Sequence, residues 1–240
     1  MGGIQPRKLI HRIISLDDVK LVKNTMQMAG LSYMSRKYAD EHTMGVDTKK
    51  SLEIIHLRGT LAVNLRPYTK IEDLADMMTK GTKYAWGNFV GVVRFPLWVR
   101  SEADSLEYVR RARATMDRKI LSLEAFNFYG VIKFTMNFFG EKVVQAVSKR
   151  LYDHTTLTYS SVMGPNEDIS IFDHPILYVA ASALTGSQVF NIHIVSYVNK
   201  IIISLAVDAT VIPDPHRLCD DMVESLNIIK SAALERGSHI

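Results

Sequence analysis

The chain has 240 residues, 47% of them hydrophobic and 22% charged, enough for one large domain or two small ones around a sizeable core. A net charge of +4 and a sequence pI near 9.0 suit an anionic ligand or an anionic membrane surface, and equally a solvated surface with a few extra Lys and Arg. Cys219 is the only cysteine, which excludes an internal disulfide. No run reaches the roughly 18 apolar residues of a bilayer span.

Arg7, Lys8, His11 and Arg12 interrupt any apolar signal core at the N-terminus, and there is no Asn-x-Ser/Thr sequon, so the chain reads as belonging to the cytosolic side. Ser15-Leu-Asp-Asp18 has the spacing of a capping box and predicts a helix with Leu16, Val19, Val22 and Met26 on one face. Residues 40–51 are polar and read as a loop, and Ile54 to Leu65 as a strand. Thr69-Lys-Ile-Glu72 is a second capping box, opening a helix that runs to a Gly81 C-cap. Phe89 to Phe95 reads as a strand.

Ser105 to Leu121 is the clearest amphipathic helix, with Leu106, Val109, Ala112, Met116 and Ile120 as its apolar stripe. Arg110, Arg111, Arg113, Arg118 and Lys119 occupy the rest of its surface. Helices follow at Leu123–Phe139 and Glu141–Tyr152, the second with Val144, Val147 and Leu151 as its stripe. The first is the most apolar stretch, Ala125 to Phe139, but Asn127, Lys133 and Asn137 interrupt it. Thr155 to Val162 is a β-branched strand that breaks at Gly164-Pro165, and Ile176 to Ala181 reads as a short strand. Val189–Val198 and Ile201–Val207 flank Asn199-Lys200, read as a two-residue hairpin turn. Asp214-Pro215 opens a terminal helix with Leu218, Met222, Leu226 and Ile229 as its buried stripe, and residues 235–240 read as a frayed tail.

Few residues suggest chemistry. Ser160 and Ser161 end a strand beside Gly164-Pro165, where a hydroxyl can stabilise a tetrahedral oxyanion. A turn hydroxyl bonding its own backbone explains them as well, and physics alone favours that. Arg66 ends an apolar strand, placed to grip a carboxylate or simply to meet water, and Asn64 alternates with it on one face. His216-Arg-Leu-Cys-Asp220 has a His-x-x-x-Asp spacing, yet it lies in the first turn of a helix, where an acidic group and an i,i+4 His–Asp pair are ordinary. A metal site from Asp214, His216, Asp220 and Asp221 would need a clustering that spacing does not supply. The Arg110–Lys119 face reads mainly as a solvated helix side, with CoA phosphates or anionic lipid as the functional alternative. Glycine-rich phosphate loops, nucleophile elbows and zinc spacings are missing.

His154-Thr-Thr-Leu-Thr-Tyr-Ser-Ser-Val-Met-Gly-Pro165, Ser15-Leu-Asp-Asp-Val-Lys, Ala62-Val-Asn-Leu-Arg-Pro, Leu74-Ala-Asp-Met-Met and Trp86-Gly-Asn resemble segments of the C-terminal half of the plant wax ester synthase/diacylglycerol acyltransferase family. So do Tyr108-Val-Arg-Arg-Ala-Arg-Ala-Thr-Met-Asp-Arg-Lys, Ser122-Leu-Glu-Ala, Ser196-Tyr-Val-Asn-Lys and Val211-Ile-Pro-Asp-Pro-His-Arg-Leu-Cys-Asp-Asp.

The resemblance implies an α/β fold: the C-terminal lobe of a CoA-dependent acyltransferase, a mixed sheet with packed helices, over residues 1–234. It implies acyl transfer from acyl-CoA, as co-substrate rather than cofactor, to a long-chain alcohol or diacylglycerol. No cofactor, metal or nucleic acid is expected, and the family setting is the cytosolic face of the endoplasmic reticulum or plasma membrane. Ser160, Ser161, Gly164, Asn64 and Arg66 are the implied substrate-binding residues.

The sequence departs from the family pattern in three ways. The His-His-x-x-x-Asp-Gly motif of the N-terminal lobe, whose second His is the general base, does not occur in it, so no catalytic residue is expected here. About three turns of helix, on the order of a dozen residues, are expected to be missing after Met28. The family's Ser-Asn-Val-Pro-Gly-Pro has Ser161 in place of Asn and Met163 in place of Pro. The expectation is a half-enzyme inactive by itself, with a non-catalytic module that binds acyl-CoA or a membrane surface as the alternative.

Overall fold

The computed structural model describes residues 7–20, 56–66, 89–98, 102–152, 154–183 and 188–237. In chain order the elements are β1 (Arg7–Ser15), α1 (Leu16–Lys20), β2 (His56–Asn64), β3 (Val90–Trp98), α2 (Ser105–Ile120), α3 (Glu124–Phe139) and α4 (Glu141–Tyr152). They continue with β4 (Leu157–Met163), β5 (Ser170–Ile171), β6 (His174–Pro175), β7 (Phe190–Tyr197), β8 (Lys200–Asp208) and α5 (Pro215–Gly237).

Among the described residues six strands form one mixed sheet in the order β1-β8-β7-β4-β2-β3. β4 runs parallel to both β2 and β7, and the remaining pairs are antiparallel. The expected mixed sheet with packed helices is thus present. β7 and β8 explain its centre: Ile192, Ile202, Leu205, Ala206 and Val207 are fully buried, as a β-branched run covered on both faces should be.

The two faces differ. On one, α2 and α5 lay their stripes over Leu61, Phe95, Leu157, Ile192, Ile194, Ile203 and Leu205. Leu218, Met222, Leu226 and Ile229 of α5 are all buried, as the pattern predicted. On α2 the stripe holds at Ala112 and Met116, with Tyr108 buried beside them, but Ile120 at its end is exposed. Asp104 caps α2, accepting from the Leu106 amide at 3.0 Å, and Asp214 caps α5, accepting from the Arg217 amide at 3.1 Å. Gly91 admits α3 to β3: a Cβ there would lie 2.4 Å from the Ala125 carbonyl oxygen. Gly140, at φ +78°, ends α3 in a conformation that favours glycine.

The segment after β6 covers the other face. Ile176 to Ala181, expected to be a strand, joins no sheet and lies against this face. The Tyr197 hydroxyl donates to the Ile176 carbonyl at 2.9 Å, Lys200 Nζ donates to the Leu177 carbonyl at 2.8 Å, and the Tyr178 ring lies 5.4 Å from that of His11. A short hairpin, β5–β6, spanning Ser170 to Pro175, precedes it.

The β7–β8 turn also departs from expectation. Tyr197 pairs with Lys200, so the loop is Val198-Asn199 rather than Asn199-Lys200. Val198 adopts φ 52°, costly for a β-branched residue, and is held there by distant partners. Its amide donates to the Pro165 carbonyl at 2.9 Å, and the Asn199 carbonyl accepts from the Leu16 amide at 2.8 Å. α5 runs through Gly237, three residues into the segment read as a tail, and Arg236 pairs with Asp104 at 2.7 Å. Ser15 caps α1 through the Asp17 amide at 3.2 Å rather than through Asp18. The predicted helix positions Val22 and Met26, the loop 40–51, the helix 69–81 and the expected gap after Met28 lie outside the described residues.

Candidate functional site

The two parallel strands β2 and β4 pair over only three residues each, Gly59–Leu61 against Leu157–Tyr159. Thr60 fastens this short contact: its hydroxyl lies 3.3 Å from the Leu157 carbonyl and 3.1 Å from the Thr158 hydroxyl. Beyond it the strands part company. β4 continues with β7 to Met163↔Ser196, while β2 continues with β3 to Asn64↔Val90. The sheet therefore splits at the carboxyl ends of two parallel strands, where open α/β sheets bind ligands. Ser160, Ser161 and Gly164 stand on one prong of the split, and Asn64 and Arg66 on the other.

Each predicted residue has a definite local situation. Strand alternation sends Ser160 and Ser161 to opposite faces, so they do not act as a pair. Ser161 faces the helix side and hydrogen-bonds the Tyr159 phenol, whose pKa burial drives far above its ordinary value. Ser160, half-buried, is on the opposite face. The Gly164 amide is committed to Ser196, donating to its carbonyl at 3.0 Å and lying 3.2 Å from its hydroxyl, which removes it as an oxyanion donor. A Cβ at Gly164 would lie 2.2 Å from that carbonyl oxygen, so the position requires glycine for close approach. Asn64 Oδ1 accepts from the Arg66 amide at 3.1 Å, an Asx turn that ends β2.

Sequence reasoning missed the neighbours of Ser160. The register places Ser160 beside His193, His193 beside Ser204, and Ser204 beside His11, a polar row across four strands. The His193 imidazole hydrogen-bonds the Ala183 carbonyl, while its Nε2 is buried with no hydrogen-bond partner. Burial lowers the pKa of His193 despite that bond, so Nε2 offers a lone pair rather than a proton. Ser204 Oγ is likewise buried and unpartnered. Such atoms cost free energy unless something accepts or donates to them. A sequence signal existed: Asn191 and His193 occupy alternate positions in the mainly apolar strand Phe190–Tyr197.

The other candidates are structural. His216 is exposed on the first turn of α5, and Asp220 pairs with Arg12 Nε at 2.8 Å, tying α5 to β1. Among the described residues no group of three or more His, Cys, Asp or Glu side chains could hold a metal ion. Cys219 is buried, its thiol pushed up to about 11 by burial. The Arg face of α2 is largely neutralised by its own acids. Arg110 meets Asp104 and Glu107, Arg111 meets Glu102 and Glu107, Arg113 meets Asp117, and Lys119 meets Glu124, all within 3.5 Å. Arg110 and Arg111 in turn hold the Glu107 carboxyl below its usual range.

The chain was compared with known proteins. Residues 86–230 match the WS/DGAT C-terminal domain. The chain is 63% identical over 249 residues to wax ester synthase/diacylglycerol acyltransferase 3 of Arabidopsis thaliana, covering 99% of this chain and 51% of that protein. It is 61% identical over 242 residues to wax ester synthase/diacylglycerol acyltransferase 1 of the same plant, covering 96% and 50%. The chain thus spans about half the length of the curated relatives it matches. Among solved structures, the wax ester synthase/diacylglycerol acyltransferase of Marinobacter aquaeolei VT8 superposes with a TM-score of 0.60 at 13% identity, over 95% of this chain and 49% of that one. The epimerization domain from the third module of tyrocidine synthetase B superposes with a TM-score of 0.54 at 9% identity, over 98% and 51%. Both show a shared fold. With the domain match covering more than half of the chain, the protein belongs to the wax ester synthase/diacylglycerol acyltransferase family, of which it carries the C-terminal domain.

Proposed function

We propose that this chain supplies one wall of an acyl-CoA-dependent O-acyltransferase site, for transfer of a fatty acyl group to a long-chain alcohol or diacylglycerol. The observation that carries the reading is the split between β2 and β4, which leaves Ser160 at the carboxyl end of a central strand beside the half-buried His193, whose Nε2 is buried and unpartnered. In the reaction, a general base takes the acceptor hydroxyl proton, the oxygen attacks the thioester carbonyl, and the tetrahedral oxyanion collapses to release CoA as its thiol. The general base is assigned to the other half of the longer relatives. Ser160 is the residue here that can face the oxyanion or the acceptor oxygen, and the unpartnered His193 Nε2 beside it leaves a lone pair open to a substrate hydroxyl. Apolar substrates of this kind favour a site at a membrane surface, and the setting proposed is the cytosolic face of the endoplasmic reticulum or plasma membrane.

Purified chain, given a long-chain acyl-CoA with hexadecanol or diacylglycerol, is expected to show no turnover. Loss of a general base costs about 100- to 10,000-fold. Co-expression with the N-terminal half of a relative bearing His-His-x-x-x-Asp-Gly should restore ester formation, and Ser160→Ala should lower kcat in that complex. Turnover by the chain alone at the level of a complete family member would overturn the division of labour. A restored complex indifferent to Ser160→Ala would remove that residue from the site.

A further inference from the structure

The exposed surface of α3 is unusual for a helix of this chain. Its inward side, at Ala125 and Thr135, is buried, while Phe126, Phe134 and Phe138 on its outward side are 52%, 55% and 70% exposed. The rings of Phe134 and Phe138 stand 4.5 Å apart, and Leu123, one residue before the helix, continues the same stripe at 69% exposed. Isolated exposed apolar residues need no explanation, but a contiguous aromatic stripe along a helix marks an interaction surface.

Charge identifies the partner. Residues 118–152, from the end of α2 through α4, contain six Lys or Arg and two Asp or Glu. The remaining residues of the chain balance at 23 basic and 23 acidic, so the whole +4 net charge resides in this segment. Arg118, Lys133, Lys142 and Arg150 are exposed there. A second copy of the chain would bring this positive surface against itself in a two-fold contact. An anionic lipid surface meets both features at once, taking aromatic rings into the acyl boundary and cations at its headgroups. The 16-residue α3 is about 24 Å long, short of the roughly 30 Å hydrocarbon core, and none of the described helices is long and apolar enough to cross a membrane.

We propose that α3, with the cations that flank it on α2 and α4, docks this chain in the plane of an anionic lipid surface, Phe126, Phe134 and Phe138 inserting and Lys133 meeting headgroups. The proposal is independent of whether the chain transfers acyl groups. It does not use the α2 arginines, for which lipid was only the alternative to a solvated face and which are engaged by neighbouring carboxylates.

The test is co-sedimentation of the full chain with vesicles of phosphatidylcholine alone or with 30% phosphatidylserine. Binding to the anionic vesicles is expected, weakening about fivefold with Lys133→Glu and on the order of 10- to 100-fold with Phe134→Glu/Phe138→Glu. Both rings are exposed, so near-UV circular dichroism should be unchanged in the double variant, and Phe134→Ser/Phe138→Ser provides an uncharged check. Anionic-vesicle binding that survives both double variants overturns the proposal. So does an absence of vesicle binding with a dimer on size exclusion that Phe134→Glu dissolves, which would assign the face to a second copy. Displacement from vesicles by a separately expressed N-terminal half of a relative would assign it to an interlobe contact instead.

Discussion

Gly164→Ala is expected to destabilise the chain by about 2–3 kcal/mol, combining overpacking with a weakened backbone hydrogen bond. The new Cβ would stand 2.2 Å from the Ser196 carbonyl oxygen, where ordinary contact begins near 3.4 Å, so the two must separate by more than 1 Å. The obstacle is backbone rather than a flexible side-chain end. That carbonyl is also the acceptor for the Gly164 amide at 3.0 Å, where β4 stays joined to β7 past the split. Relief of the clash therefore strains the bond that holds the Ser160 prong. The assay is urea denaturation followed by far-UV circular dichroism, with Gly130→Ala as the matched control. A Cβ at Gly130 meets nothing within 4 Å, and alanine replaces glycine inside a helix, so that variant should gain about 0.5–1 kcal/mol. In melting temperature the Gly164 variant should fall by roughly 4–12 °C and the control should rise by a few degrees. A Gly164→Ala midpoint within about 0.5 kcal/mol of the parent, or equal shifts in both variants, would refute the reasoning.

Further outcomes follow from other contacts. Thr60→Val, close to isosteric, removes the hydroxyl that bridges Leu157 and Thr158, and should lower the urea midpoint by an amount equivalent to about 1 kcal/mol with no change in slope. Because burial depresses the pKa of His193, the unfolded chain binds the proton first as pH falls. Its contribution to stability should thus be full above about 6.5 and be lost as pH drops through the lower folded value. Comparing stability from pH 8 to 5 in parent and His193→Gln tests this, and parallel profiles would remove His193 as the source. Arg110→Glu/Arg113→Glu should lower the melting temperature by disrupting the pairs with Asp104, Glu107 and Asp117. The same change should weaken binding to anionic vesicles less than Lys133→Glu does, and a larger loss would return the lipid contact to α2.

Local patterning was enough for much of this molecule. Caps act over three residues and helical stripes over one or two turns, so Asp214-Pro215 and the Leu218–Ile229 stripe announced α5 without reference to any neighbour. The strands β2, β3, β4, β7 and β8 were likewise legible from β-branched runs, and the ordered segments from Ser15 to Asp221 resembled the family that the domain match establishes. The two faces of β4 follow from a period of 2, so the separation of Ser160 from Ser161 was present in the chain although pairing them looked natural.

What only the tertiary structure decided depends on groups distant in sequence. The Val198-Asn199 turn places φ 52° on a valine because Pro165 and Leu16 bond to it, and local preference argued for the next dipeptide. That one-residue difference sets which residue faces which across the hairpin, and with it the His193–Ser204 neighbourhood. The split beyond Leu61 and Tyr159 arises because β2 follows β3 while β4 follows β7, a choice of partners that neither strand encodes alone. Charge patterning showed an Arg-rich α2 and an apolar α3. Only assembled contacts showed that α2 spends its charge on nearby acids while α3 keeps four phenylalanines in the open. Composition and short-range periodicity are properties of the chain, whereas pairing, register and exposure are properties of which segments meet.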